Sequence, residues 1–517
     1  MQRQYKTTIL LITAVILTTM SCKKGLDYTP EVFVAQPQVF KDQAGATAAV
    51  TGIYAQLQSL KRSDYALIGI IGTDEARCTY QSQGYGDYWA NVTGLDVYDI
   101  KFGAQNYQLS GFWQTCYIGI ANANAAIKGI PGASIADPSV SNRLLGESKF
   151  MRALFYFYLV QLYGDIPLRT EATSFSDGVK RSPARDIYEL IVSDLKFAIA
   201  NCWNKSKNPG VGRASIEAAK ALLGKVYLTR KDYNNAKTTF EDLLPNLTLL
   251  TDYVQLFDGQ HENNAESLFE VQYSTDPGNT QGLQNLFGSY AGPGIPGSSF
   301  DIHTPGYGGT VVMATAFYAD TVFDKTNDKR YLASIWPHRY DGSGNTMDWW
   351  VDPGLPTIKK YDISSSDIDV NNSGKNLYYL RSADVYLMYA EVLNELGQPG
   401  DAMPPLNKVR NRAGLQNLET VWGHTPSQAE LRPELLDERT RELGGEGWRW
   451  FDLKRTGTLV ARVQRYDNPR AYYVPINGAG DPHPAQNVSE KNNLYPIPLN
   501  ELQTNAALSL TDQNPGY

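Results

Sequence analysis

Between Ala214 and Leu244 the chain reads as two short amphipathic helices set back to back. Leu223, Gly224 and Tyr227 fall on the first, and Ala236 and Phe240 on the second. The small Gly224 and Ala236 let the helix axes approach, while Leu223, Tyr227 and Phe240 fill the seam and Arg230 to Asp232 make the turn. Such a pair leaves one apolar face open, so it is stable only when stacked on others of its kind. That requirement extends beyond these residues, because the rest of the chain must supply the neighbours.

The offsets are those of a tetratricopeptide unit, with Lys220 where Trp is usual, so the repeat is degenerate. A second pair runs from Ala383 to Ala413, with Ala390 and Leu393, then Ala402 and Leu406, around a turn at Gly397 to Gly400. Amphipathic helices are also predicted over Gln43–Leu60, Phe112–Lys128, Leu144–Tyr163 and Ala184–Asn201, with apolar residues three and four apart. The expected fold class is mainly α, a right-handed array of tetratricopeptide-like helix pairs with minor β structure.

Two stretches break the helical pattern. Gly69 to Tyr107 carries Tyr80, Tyr85, Tyr88, Trp89, Tyr98 and Phe102 among Gly, Asp, Asn and Gln. Tyr273 to about Tyr379 is rich in glycine and aromatics, including Tyr290, Tyr307, Trp336, Tyr340, Trp349 and Trp350. Long irregular segments in a folded protein carry function or are disordered, and the aromatic content argues against disorder.

The beginning of the chain reads as a secretory signal. Arg3 and Lys6 precede an apolar run from Ile9 to Leu17, then small and polar residues lead to Ser21 and Cys22. The run is about nine residues, against roughly 20 for a bilayer-spanning helix. A cysteine at the cleavage point is what a lipoprotein signal needs, so Cys22 is the expected lipidation site and residues 1–21 the signal peptide. Acyl chains partition at about 0.8 kcal/mol per methylene, and three of them hold firmly where one does not.

The formal charge is −7, and it becomes about −9 once Arg3 and Lys6 are removed with the signal. With no basic run, nucleic acid is not an expected partner. Cys78, Cys116 and Cys202 remain, so at most one disulfide can form within the mature chain.

Further motifs carry a resemblance. Phe112-Trp113, Tyr117 to Asn124, Gly146 to Ala153 and Leu162 to Leu168 are followed in order by Tyr378 to Asp384, Ala390-Glu391 and Leu406 to Gly414. Glu438-Arg439, Glu442-Leu443, Gly447 to Arg455, Tyr495 to Pro498 and Gln513 to Tyr517 complete the series. In this series the chain resembles the SusD/RagB lipoproteins of Bacteroidetes, over essentially its whole mature length. It departs from many exported relatives in having Lys23 and Lys24 behind the cysteine, where they have acidic residues.

The resemblance implies one unit over 22–517, made of an N-terminal half (22–265) and a C-terminal half (266–517) that holds the inserted loop region. About four helix pairs would support irregular ligand loops. It also implies an outer-membrane protein, lipid-anchored and facing the exterior. Its ligand would be an oligosaccharide, or a peptide in some members, and its partner a SusC-like TonB-dependent transporter. No catalysis, cofactor or metal is implied.

A neutral oligosaccharide presents flat C–H faces and a rim of hydroxyls, which call for exposed rings together with Asn, Asp, Gln or Arg. Trp89 fits best, with Tyr88, Tyr85, Tyr80 and Asn91 beside it and Asp74 and Arg77 at the entry to the segment. Tyr290, Tyr307, Trp349 and Trp350 are the candidates from the second irregular region. Any one of these rings could instead pin its loop, and Arg77 could serve a structural salt bridge. The charged run Asp437 to Glu442, and Arg449, Asp452, Lys454 and Arg455, read as ordinary helix ion pairs.

Rival functions find less support. Asp74 and Glu75 are adjacent and would face apart in an extended loop, a poor hydrolytic dyad. His261, His303, His338, His424 and His483 are scattered, without metalloprotease or zinc spacing. No nucleophile elbow is present. A protein-binding scaffold would bury or disperse the rings that a receptor gathers on one open face.

Overall fold

Polar side chains that accept from exposed backbone amides mark where the helices begin. The computed structural model describes residues 39–61, 67–78, 87–171, 178–208, 210–276, 278–287, 311–337, 348–349, 352–353, 356–362, 367–466 and 484–517. Its longer helices are α1 (Gln43–Lys61), α2 (Asp87–Val97), α3 (Tyr107–Gly129), α4 (Pro138–Tyr163), α5 (Ala184–Asn201) and α6 (Ile216–Thr229). They continue as α7 (Tyr233–Leu243), α8 (Ser382–Glu395), α9 (Pro399–Arg412), α10 (Gln428–Leu443), α11 (Arg449–Arg455) and α12 (Leu459–Tyr466). Asn106 caps α3, Asp137 caps α4 ahead of Pro138, Ser215 caps α6 and Asp232 caps α7. Ser427 and Glu430 form a reciprocal capping box at α10.

The pair α6/α7 packs as its spacing requires. A Cβ on Gly224 would lie 2.2 Å from the Phe240 ring, so only glycine admits the ring at this crossing. Lys231 makes the turn with φ of 58°, and Lys220 bonds Asp242 at 2.6 Å. From there the packing runs in sequence order: α1 on α3, α3 on α4, α4 on α5, α5 on α6, α6 on α7, α7 on α8, and α8 on α9. Four helix pairs thus lean on one another among the described residues, α1/α3, α4/α5, α6/α7 and α8/α9. One hydrophobic core runs through them, and the seam residues Leu223, Tyr227, Phe240, Ala390, Leu393, Ala402 and Leu406 all belong to it.

Two expectations change. The first irregular stretch contains α2, whose residues 91–97 are all buried. Asn91, Thr93 and Asp96 are polar and buried alongside Val92 and Leu95, so the apolar period that would announce a helix is absent from the sequence. The charged run on α10, expected to form ordinary helix ion pairs, forms ion pairs that are interior and reach across the fold. Arg330 bonds Asp328 at 2.7 Å, Glu438 at 2.7 Å and Glu442 at 3.1 Å, all with side chains 0% exposed.

Arg381 reaches Glu266 at 3.0 Å and Glu446 at 2.7 Å and also pairs with Glu442. Arg439 forms an ion pair with Asp384 at 2.9 Å and donates to Asp452 at 2.8 Å, and Lys225 forms an ion pair with Asp384 at 2.9 Å. Burial alone would raise the Glu438 carboxyl, but the guanidinium groups of Arg330, Arg441 and Arg410 hold it at about 2. Breaking such a buried pair costs roughly 3–5 kcal/mol, because the charge left behind has no partner.

Among the described residues the minor β structure consists of two-stranded ribbons. Two matter here: β1 (Ala76–Cys78) with β3 (Val312–Ala314), and β2 (Ser267–Val271) with β4 (Leu377–Arg381), both antiparallel. Strand β4 runs directly into α8 and places Arg381 among its carboxylates.

Candidate ligand-binding site

The ribbon β1/β3 ties the two aromatic-rich stretches together. Its register is Ala76 to Ala314, Arg77 to Met313 and Cys78 to Val312. Because the strands are antiparallel, the chain leaving Cys78 toward Tyr80 and Tyr85 and the chain arriving at Val312 from Tyr290 and Tyr307 join one end of the ribbon. The other end holds a third segment, since the Ala314 amide donates to the Pro356 carbonyl at 2.9 Å. A further ribbon, Ile335–Trp336 with Thr357–Ile358, closes the base of that segment. Inside it Asp348–Trp349 pairs with Asp352–Pro353.

Buried charges fix this base. The Asp74 carboxylate receives Arg449 Nε and Nη2, each at 2.6 Å. Arg77 Nε donates to both oxygens of Asp96, at 3.0 and 3.2 Å, and the Gly72 amide donates to Asp96 Oδ1 at 3.1 Å. Burial raises the Asp96 carboxyl above its ordinary value although Arg77 opposes it. Thr315 clasps the preceding turn: its amide donates to the Glu75 carbonyl at 2.9 Å and its hydroxyl to the Asp74 carbonyl. Asp96 lies on α2, so the helix that carries Tyr88 and Trp89 in its first turn is locked to β1 through its last turn.

The candidates therefore separate. Asp74, Arg77 and Asn91 are 1%, 5% and 7% exposed. Asp74 and Arg77 spend their charges on protein partners, and Asn91 is buried on α2. Asp74 pairs with Arg449, and Arg77 forms a structural salt bridge to Asp96, a carboxylate of the same stretch. For Tyr88, Trp89 and Trp349 the structure describes the backbone position alone. Tyr80, Tyr85, Tyr290, Tyr307, Trp350 and the lipidation candidate Cys22 lie outside the described residues.

Sequence reasoning missed Asp96. A lone acidic residue among Gly, Val and Tyr gives no signal until its partner across the fold is known.

Glu75 is 2% exposed and accepts from the Gly445 amide at 3.1 Å. Burial pushes its carboxyl up to about 7, against the pull of Arg449. A carboxyl tuned to that range suits acid–base chemistry only where substrate can reach it. With Asp74 held by Arg449 and both groups interior, the two do not form an accessible dyad. Among the described residues no group of three or more His, Cys, Asp or Glu is placed to hold a metal ion. No helix among them is long and apolar enough to cross a membrane.

A family profile described as "SusD family" matches residues 265–517, and one described as "Starch-binding associating with outer membrane" matches residues 53–228. The chain belongs to the SusD family. A SusD-like protein of Formosa agariphila is 27% identical and aligns over 98% of this chain and 99% of its own length. The starch-binding protein SusD of Bacteroides thetaiotaomicron is 24% identical over 72% of this chain and 73% of its own. Among solved structures, a laminarin-binding SusD-like protein superposes with a TM-score of 0.72 at 24% identity, covering 92% of this chain and 100% of that one. That likeness concerns the fold. For this SusD-family chain it means that the helix-pair body is a known architecture, and that the segments joined at β1/β3 are built on it.

Proposed function

We propose that this SusD-family protein captures neutral oligosaccharides on the segments gathered around β1/β3 and delivers them to a SusC-like TonB-dependent transporter. It would do so at the outer membrane, anchored through lipid on Cys22 and facing the exterior. The observation that supports the reading is the pairing of Cys78 with Val312, one residue from each of the two aromatic-rich stretches. Trp349 and Trp350 join from the third segment. The relative from Bacteroides thetaiotaomicron is described as starch-binding, and the helix-pair body offers the transporter an extended surface. The protein binds without turnover in this reading, since the upshifted carboxyls at the base, Glu75 and Asp96, are shut inside.

The test is calorimetry of residues 23–517 against soluble glycans and peptide mixtures, with released reducing ends followed in parallel. Heat of binding without product supports capture, peptide heat alone moves the ligand class, and product overturns the reading. Trp89→Ala should weaken binding by roughly 1–3 kcal/mol, as for an aromatic hot spot; unchanged affinity in a folded variant removes Trp89 from the site. Cys22→Ala should move the full-length protein from the membrane to the soluble fraction. Retention of that variant in the membrane would rule out a lipid anchor on this cysteine.

A further inference from the structure

A second cleft lies away from the β1/β3 ribbon, at the end of the last helix pair. It has a volume of about 460 Å³ and is bounded by residues 322–327, the end of α9, the short helix Leu418–Trp422, and Glu434 and Arg441 of α10. That volume is in the range of small-molecule sites, roughly 300–1,000 Å³. Trp422 is half-buried, packed on the core and lining the cleft, and Val421 beside it is 57% exposed.

The polar groups around this indole have capacity to spare. Glu434 Oε1 accepts from Arg410 Nη1 at 3.4 Å and from Arg441, while no protein donor bonds Glu434 Oε2 among the described residues. The Gln416 carbonyl receives Arg410 Nε at 3.2 Å, which leaves the exposed Gln416 side-chain amide with both a donor and an acceptor. Asn327 is exposed and spends one amide hydrogen on Asp324 Oδ2 at 2.8 Å. Arg410 and Arg441 are balanced by Asp324 and Glu434, so the lining has no net charge and an anion gains nothing there. An aromatic platform, a charged acceptor for hydroxyls and free amides on an uncharged wall are the demands of a polyhydroxylated ring.

We infer that the Trp422 cleft is a second, independent subsite for a neutral saccharide, with the indole under a sugar C–H face and Glu434 Oε2, Gln416 and Asn327 on its hydroxyls. The inference rests on the glycan-capture reading above. It extends that reading to a site on the helix pairs themselves.

The test is ¹⁹F NMR of the mature chain labelled with 5-fluorotryptophan, with the Trp422 signal assigned by Trp422→Phe and the Trp89 signal by Trp89→Phe. Maltohexaose and laminarihexaose are the titrants. The Trp422 signal should shift saturably, and should do so equally in Trp89→Ala. Gln416→Ala, an exposed change that leaves the core intact, should weaken that response roughly three- to tenfold, as expected for one or two lost hydrogen bonds. If the Trp89 signal shifts while Trp422 stays fixed, or if the Trp422 response vanishes in Trp89→Ala or ignores Gln416→Ala, the second subsite is wrong and capture at the first stands. If neither signal moves with either sugar and calorimetry finds no glycan that binds, both readings fall.

Discussion

Glu75 shows how one residue at the base of the β1/β3 ribbon trades stability for placement. Its carboxyl is 2% exposed, receives the Gly445 amide and is raised by burial to about 7, against an ordinary value of 4.5. Between these values the folded protein keeps a proton that the unfolded chain releases. Stability therefore falls as pH rises through that window, and the penalty is complete above about 7. Glu75→Gln keeps an acceptor for Gly445 and removes the titration. Its stability relative to wild type should grow from near zero at pH 4.5 to about 3 kcal/mol at pH 8, because each tenfold difference in proton affinity between the folded and unfolded chains is worth about 1.4 kcal/mol. Urea unfolding of both proteins across this range checks it, and a difference independent of pH would mean that Glu75 is not held protonated. The thiols of Cys116 and Cys202 are likewise pushed up by burial, so neither is a candidate for surface redox chemistry.

At the level of elements, the ribbon β1/β3 decides whether the aromatic segments share one site. Thr315 N–H bonds the Glu75 carbonyl, and in an antiparallel ladder hydrogen-bonded pairs alternate, so Arg77 and Met313 are the next such pair. Met313→Pro removes that amide and should open the ribbon. The expected result is loss of glycan binding with the helical far-UV signal retained; unchanged affinity would show that the segments do not need the ribbon. None of this pairing was legible in the sequence, because three-residue strands carry no alternation to read. The helix pairs were legible, since seam residues such as Leu223, Gly224 and Phe240 recur at fixed offsets. Helix α2 was not, because Asn91, Thr93 and Asp96 are polar yet buried, and Asp96 pairs with Arg77, which lies outside the helix. Asp74 and Arg77 looked like rim groups for the same reason: a charge waiting for a ligand and a charge waiting for Arg449 or Asp96 are written with the same letter. Trp422 drew no notice, being one indole in a run of ordinary helix residues.

Across the whole molecule, the arrangement departs from a simple stack. In a linear array each repeat touches only its neighbours and can unfold on its own. Here, residues distant in sequence are tied directly: Asp74 to Arg449, Lys225 to Asp384, Glu266 to Arg412. The last stretch returns to the first pairs. Tyr495 N–H donates to the Leu162 carbonyl at 2.7 Å, and the Tyr495 ring lies 4.9 Å from Phe102 and 4.9 Å from Trp450. Gln513 exchanges two hydrogen bonds with the Ile497 backbone, and Asn514 Nδ2 bridges the carbonyls of Tyr163 and Tyr495 at 2.9 and 2.7 Å. Trp113 Nε1 donates to Glu501 at 3.2 Å. These cross-ties make the body one cooperative unit, so thermal unfolding followed by near-UV and far-UV circular dichroism should give coincident traces. Deleting residues 494–517 uncovers Trp113, Tyr163 and Trp450, a loss comparable to two large core truncations at roughly 3–5 kcal/mol each. The midpoint should fall by on the order of 10 °C, with tryptophan emission shifted to the red. A shift of only a degree or two would mean that the returning segment merely rests on the array, and that the ion pairs alone join its two ends.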